Sequence, residues 1–192
     1  MKKDLFNVML MLLAILSLGS CSDKKDGALT VFYNVSLSKD MSQMADMAIT
    51  YRLADGSTAT DTITGTSWDK AVMLDTFPAV FGIVDYTFLP KPESNLTKEG
   101  YEPSVVFSMF TREAKYELQT ELVNIYYVKR DKVAGFIDLV NDHGGTGISK
   151  IAVKEGDSIS IHDHDTENEK IRLRTDNALK KIFQTRDIET IQ

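Results

Sequence analysis

Apolar and polar residues alternate along much of the chain after its first segment, with the period of two that is typical of half-buried β-strands. Residues 29–37 are the clearest run: every odd-numbered position is apolar, and Phe32 is the one apolar residue at an even-numbered position. Residues 49–53 repeat the pattern, and Asp55-Gly56 then separates them from a threonine-rich run over 58–64. Because Asp-Gly between two β-prone runs favours a tight turn, this region is predicted to be a hairpin.

Further β-rich runs follow, most of them separated by Gly, Pro, Asn or Asp. They are 71–74, 79–89, 104–110, 116–128, 133–140, 148–153, 158–162 and 170–174. Only 176–185 has helical spacing, with Asp176 as N-cap and apolar residues at 179, 182 and 183. The pattern predicts a mainly β chain that folds as an antiparallel β-sandwich with a short C-terminal helix. A closed barrel is the alternative.

The first twenty residues differ from the rest of the chain. Two lysines precede a nearly continuous apolar stretch over 5–18, and its uninterrupted part, 8–16, is nine residues long. A membrane-spanning helix needs about 20 residues, whereas the apolar core of a secretory signal needs about 7–15. The stretch ends at Leu18, and Gly19 and Ser20 then lie directly before Cys21, the chain's only cysteine. We therefore expect residues 1–20 to be a signal peptide.

The sequence Leu18-Gly19-Ser20-Cys21 resembles the lipobox of bacterial lipoproteins, since a basic start, a short apolar core, small residues and a cysteine occur in that order. The resemblance implies cleavage before Cys21, a diacylglyceryl group on its sulfur and a fatty acid such as palmitate on its new amino terminus. Lipidation would also remove a lone thiol, which is prone to unwanted pairing in an exported protein. The alternative is an uncleaved anchor, or an ordinary signal peptide with an incidental cysteine.

A short polar tether, residues 22–27, follows the cysteine. In Bacteroidales-type outer-membrane lipoproteins, which this region resembles, an acidic segment at this place accompanies export to the cell surface. Here Lys24 and Lys25 balance Asp23 and Asp26, so a generic solvated linker is an equal alternative. We expect a lipid anchor in the outer membrane, and the cell surface and the periplasm are alternative locations for the protein.

A second resemblance concerns the order of strands and turns. Ile49-Thr50-Tyr51, Asp55-Gly56 and Trp68 follow one another in an order similar to that of small immunoglobulin-like β-sandwich lipoproteins of Bacteroidales. We interpret Tyr51 and Trp68 themselves as core residues. The predicted division of the chain is a leader at 1–20, the lipidated cysteine and tether at 21–27, a sandwich domain at 28–130, and a segment at 131–192 that continues the sandwich or forms a small second subdomain.

Charge and motifs narrow the expected function. The net charge is −6 without a long block of Lys and Arg, so nothing favours nucleic acid, whose phosphates need a basic face. Loss of Lys2, Lys3 and Asp4 with the leader removes a charge of +1 and leaves −7. With Cys21 assigned to lipid, no cysteine remains for a disulfide, a thiol nucleophile or a zinc knuckle. The sequence also lacks HExxH, GxxxxGK[ST] and GxSxG.

The three histidines are the candidate metal ligands. His162 and His164 are two residues apart and would share one face of a strand, and His143 or Asp142 in the predicted loop 141–147 would supply a third ligand for zinc or copper. The alternation of Ile159 and Ile161 opposes this, because it places His162 on the solvent side. A solvated polar turn is the alternative.

Two short segments match the acceptor pattern of Bacteroidales O-glycosylation. They are Asp61-Thr62-Ile63 and Asp157-Ser158-Ile159, which makes Thr62 and Ser158 candidate modification sites. Both segments are equally compatible with turns at the start of strands.

Taken together, these features predict a membrane-anchored exported lipoprotein with a non-catalytic binding or assembly surface. Its expected partners are the membrane, through the lipid, and an unknown protein or glycan ligand, with no cofactor besides the covalent lipid. The alternatives are a barrel that carries a small apolar ligand and a metal-dependent or carboxylate enzyme.

Overall fold

The structure is a computed structural model in which residues 27–125, 127–143 and 147–164 are described. Eleven strands and two α-helices follow one another along these residues. They are β1 (Leu29–Leu37), α1 (Lys39–Met44), β2 (Ala45–Arg52), β3 (Thr58–Ile63), β4 (Ser67–Leu74), β5 (Ala79–Pro90), β6 (Gly100–Tyr101), β7 (Ser104–Thr111), β8 (Glu117–Asn124), β9 (Val128–Lys129), α2 (Val133–His143), β10 (Ile148–Glu155) and β11 (Ser158–Asp163).

The strands form two main antiparallel sheets. Sheet A has the order β4-β1-β7-β8, sheet B has the order β11-β10-β5-β2-β3, and β6 and β9 form a small separate pair. The predicted hairpin is confirmed, since β2 pairs with β3 across a turn in which Gly56 has a φ of +81°. Over the described ranges each main sheet ends in two edge strands, so the mainly β antiparallel prediction is confirmed and the closed-barrel alternative is wrong.

The core lies between the two sheets, as the alternation predicts. In β1 every odd-numbered residue is buried, and β2 and β7 alternate in the same way. Tyr33 of β1 and Tyr51 of β2 meet across the interface with ring centroids 5.8 Å apart. The backbone N–H of Gly82 in β5 donates to the Tyr33 hydroxyl over 3.0 Å. These contacts join the sheets face to face as a sandwich.

The Tyr33 hydroxyl gives a testable pH dependence, because burial raises its pKa from 10.0 to about 12. The unfolded chain loses this proton near pH 10. The contribution of the raised Tyr33 pKa to the free energy of unfolding is therefore complete below pH 10 and is lost as the pH rises toward 12. We expect Tyr33→Phe to lower stability by about 1 kcal/mol at pH 7, since the Gly82 N–H loses its acceptor. The substitution should also flatten the fall in stability between pH 10 and 12. Urea unfolding at several pH values checks both, and an unchanged alkaline slope would contradict the assignment.

The segment 133–140 was predicted to be a strand, and that prediction is wrong. It forms most of α2, and its buried residues have the i, i+3, i+4, i+7 spacing of one helix face. Those residues are Val133, Phe136, Ile137 and Val140. The helix continues through 141–143, which were predicted to be part of a loop. The helix predicted over 176–185 and the strand predicted over 170–174 lie outside the described residues.

A side chain of α2 completes the hydrogen bonding of β5. β10 pairs only with the first half of β5, residues 79–83. Further along β5, the Phe88 N–H donates to Asn141 Oδ1 and the Asn141 amide donates to the Phe88 carbonyl, both over 2.8 Å. The side chain thus replaces a neighbouring strand at this point.

We expect Asn141→Ala to lower the free energy of unfolding by about 1–2 kcal/mol. The substitution leaves the N–H and the carbonyl of the buried Phe88 without the partners that Asn141 supplies. Asn141→Asp keeps the acceptor and loses only the donor, so it should cost less. Urea unfolding of the two variants checks the order, and equal midpoints for wild type and Asn141→Ala would contradict it.

Candidate functional site

The side chain of Asp61 points into the sandwich at the side where an edge strand of sheet A lies beside an edge strand of sheet B. β3 is an edge strand of sheet B, β4 is an edge strand of sheet A, and residues 64–66 join them. Ala59, Asp61 and Ile63 are the more buried positions of β3, so alternation directs Asp61 inward. An inward charge on an edge strand also opposes pairing with another chain.

Three side chains converge on one oxygen of this carboxylate. The Tyr51 hydroxyl and the Trp68 indole N–H both donate to Asp61 Oδ2, each over 3.1 Å. The Lys70 ammonium lies 3.7 Å from the same oxygen. We call Tyr51, Asp61, Trp68 and Lys70 the Asp61 cluster.

The Asp61 cluster is buried on its inner side and exposed to solvent on its outer side. Tyr51 is 1% exposed, and its ring packs against Trp68 with centroids 5.3 Å apart. The side chains of Asp61 and Lys70 are 35% and 42% exposed. The Lys70 ammonium lies 5.6 Å from the Tyr51 ring centroid. Tyr51 and, after it, the Asp61 carboxylate raise the pKa of Lys70 above its ordinary value, so the side chain stays a cation.

This geometry leaves polar groups available at the surface. All three contacts use Oδ2, so within the described ranges Oδ1 of Asp61 accepts no hydrogen bond. A carboxylate oxygen, an ammonium group and a half-buried indole therefore lie next to one another at the edge of the sandwich. Such a combination binds ligands that carry both hydrogen-bonding groups and an apolar face.

Three of the four residues stood out in the sequence, each for a separate reason, and Lys70 was missed. Tyr51 was interpreted as a core residue, which its burial confirms, whereas Trp68 is only half-buried. Asp61 drew attention only as part of a modification pattern. The sequence could have indicated the site only through Asp61, a charged residue at an inward position of a strand. Its inward position is evident only when 59, 61 and 63 are assigned to the inner face of β3.

The structure places the candidate metal ligands at the edge of sheet B. His162 in β11 is exposed, and its ring nitrogen Nε2 lies 3.0 Å from Ser160 Oγ. His164 is also exposed, and its backbone N–H donates to the Ser149 carbonyl over 3.2 Å. His143 belongs to α2, but its side chain lies outside the described part of the chain. Among the side chains that are described, no three of His, Cys, Asp and Glu lie close enough to hold a metal ion, and the metal site stays a prediction.

The candidate modification sites are both accessible. Thr62 is exposed on β3, and Ser158 is exposed at the first position of β11. Modification at either residue stays a prediction. The candidate lipidation site, Cys21, lies outside the described residues.

Comparisons with protein-family models, curated proteins and solved structures gave no match to this chain. Over the described residues, no helix has both the length and the apolar character that crossing a membrane requires.

Proposed function

We propose that the chain is an exported lipoprotein, anchored in the outer membrane through Cys21, whose β-sandwich presents a non-catalytic binding surface. The leader and the cysteine support export and lipidation. Leu29, the first residue of β1, is fully buried, and the tether at 22–27 and Ala28 separate it from Cys21 in the sequence. At roughly 3.3–3.6 Å per residue, this tether spans at most about 30 Å.

Strand register gives the direction in which the Asp61 cluster would face. Leu29 lies at the anchored end of β1, whereas Trp68 is paired with Val35 and Lys70 with Tyr33. These partners are four to six residues further along β1, which is about 13–20 Å at the rise of a β-strand. The cluster would therefore lie away from the anchored end, where a ligand outside the membrane can reach it.

The Asp61 cluster is the observation that carries the binding function. Sugar hydroxyls can donate to Asp61 Oδ1 and accept from Lys70, and the C–H face of a sugar ring can pack against Trp68. We therefore propose a glycan as the ligand. A protein ligand would need a wider complementary surface around the same residues.

A glycan microarray probed with the detergent-solubilised full-length protein tests this proposal. We expect selective binding by wild type and its loss in Asp61→Asn and Lys70→Met. Asp69→Asn is the matched control, since Asp69 is exposed on β4 outside the cluster, and it should bind as wild type does. Equal binding by Asp61→Asn and wild type, or no binding by any protein, would contradict a glycan site here.

Protease treatment of intact cells decides which membrane face carries the protein. Degradation without cell lysis would show surface exposure. Protection until the outer membrane is opened would show a periplasmic location, and either result is compatible with the lipid anchor.

A further inference from the structure

The outer face of sheet A carries an apolar strip that the sandwich core does not use. Phe32 of β1 and Phe110 of β7 are directly opposite each other, with ring centroids 4.8 Å apart and planes only 12° from parallel. The guanidinium of Arg112 lies 5.0 Å from the Phe32 centroid. Val106 adds to the strip along β7, and Met73 at the end of β4 is 43% exposed. We call Phe32, Met73, Val106 and Phe110 the outer strip.

Acidic side chains border the outer strip on the β8 side. Glu117 is paired with Phe110, and Glu121 is paired with Val106. Both glutamates are exposed, and β8 is an edge strand of sheet A. A segment that covered this face would need apolar side chains next to basic ones.

One segment of the chain has this composition. Residues 170–186, which lie outside the described residues, carry six basic side chains and a single acidic one, a charge of +5 in a chain whose total is −6. The basic residues are Lys170, Arg172, Arg174, Lys180, Lys181 and Arg186. The same segment contains the apolar residues Ile171, Leu173, Leu179, Ile182 and Phe183.

The end of β11, after which this segment follows in the sequence, lies on the same side of the sandwich as the acidic border. Asp163 of β11 is paired with Lys150, and Lys150 is paired with Phe81 of β5. The Phe81 ring in turn contacts Tyr116, directly before β8, with centroids 6.4 Å apart. The end of β11 and the start of β8 thus lie on the same side of the sandwich. Residues 164–169 can span about 20 Å, and the two sheets are only about 10 Å apart.

We propose that residues 170–186 bind the outer face of sheet A of the same molecule. Their apolar side chains cover the outer strip, and their basic side chains face Glu117 and Glu121. This inference is independent of the proposed glycan site, because the Asp61 cluster lies at the opposite, β3–β4 side of the sandwich.

Photo-crosslinking of the full chain in detergent tests this contact. A benzoylphenylalanine in place of Gln119, between the two glutamates on β8, should crosslink to peptides from 170–186 within one molecule. The same group in place of Thr60, which is exposed on β3, is the control and should not. A product with the mass of a dimer, a crosslink to other peptides only, or no crosslink would overturn the proposal.

Charge reversal tests the electrostatic part of the contact. Glu117→Lys combined with Glu121→Lys should lower the crosslinking yield about fivefold, since each ion pair contributes a fraction of a kcal/mol. Adding Lys180→Glu and Lys181→Glu to that variant should restore the yield. Glu117 and Glu121 are exposed, so an unchanged unfolding transition is expected for these variants and shows that the fold is intact. An unchanged crosslinking yield in a folded variant then contradicts the proposal.

Discussion

We expect Cys21→Ala to remove the protein from the membrane fraction and to abolish its labelling by fatty acid. The expected loss is complete, because the chain has one cysteine and therefore one site for the diacylglyceryl group. A single acyl chain gives only marginal membrane binding, whereas the two or three chains of a mature lipoprotein anchor it stably. Fractionation of cells fed an alkyne-bearing fatty acid measures both effects.

Ser22→Ala is the matched control for Cys21→Ala, since it changes the neighbouring residue and leaves the sulfur in place. It should be labelled and retained like wild type. Unchanged retention of Cys21→Ala would show that the apolar stretch itself holds the protein in the membrane, which is the behaviour of an uncleaved anchor.

We expect Asp61→Ala to lower the free energy of unfolding by about 3 kcal/mol. The Tyr51 hydroxyl and the Trp68 indole N–H both lose their acceptor, and hydrogen bonds to a charged group contribute about 1.5–3 kcal/mol each. Lys70 contributes little to this total, since its side chain is well exposed and its interaction is screened by solvent. Urea unfolding followed by tryptophan fluorescence is a suitable measurement, because Trp68 is the only tryptophan.

Two controls separate the Asp61 cluster from a general effect of removing charge. Asp61→Asn keeps a carbonyl oxygen for the two donors and should cost about 1 kcal/mol, less than the alanine variant. Asp69→Ala, on the exposed face of the neighbouring strand, should stay within about 0.5 kcal/mol of wild type. A loss for Asp61→Ala no larger than that for Asp69→Ala would contradict the account of the cluster.

Much of the sandwich could be predicted from alternation. A strand such as β1 has one face in the core, so its apolar residues recur at every second position, and the structure buries those positions. The turn at Asp55-Gly56 was equally visible, because Gly56 has the positive φ that favours glycine. These signals are local, and each can be identified without knowing where the other strands lie.

The prediction of secondary structure failed where the same apolar residues fit both the spacing of a strand and the spacing of a helix. In Val133–His143 the apolar residues are dense enough to suggest a buried strand, yet only the i, i+3, i+4, i+7 set is buried. α1 also escaped prediction because it is six residues long. Its signal is the Ser38 hydroxyl, which accepts from the Met41 N–H over 3.1 Å and caps the helix.

The Asp61 cluster could not be predicted because it depends on contacts between sheets. Asp61 and Trp68 lie on consecutive strands, but each strand belongs to a different sheet, and Tyr51 reaches them from a third strand. Alternation shows which face a residue occupies and does not show which strands form the edges of the sandwich. The same limit applies to Asn141, whose bond to Phe88 joins residues 53 positions apart.

The intact mass of the protein extracted from membranes, combined with fragmentation of its amino-terminal peptide, tests whether Cys21 is the lipid anchor. We expect a chain that begins at Cys21, with a diacylglyceryl group on the sulfur and a fatty acid on the amino terminus. A chain that keeps residues 1–20, or one that begins elsewhere with an unmodified Cys21 thiol, would contradict it.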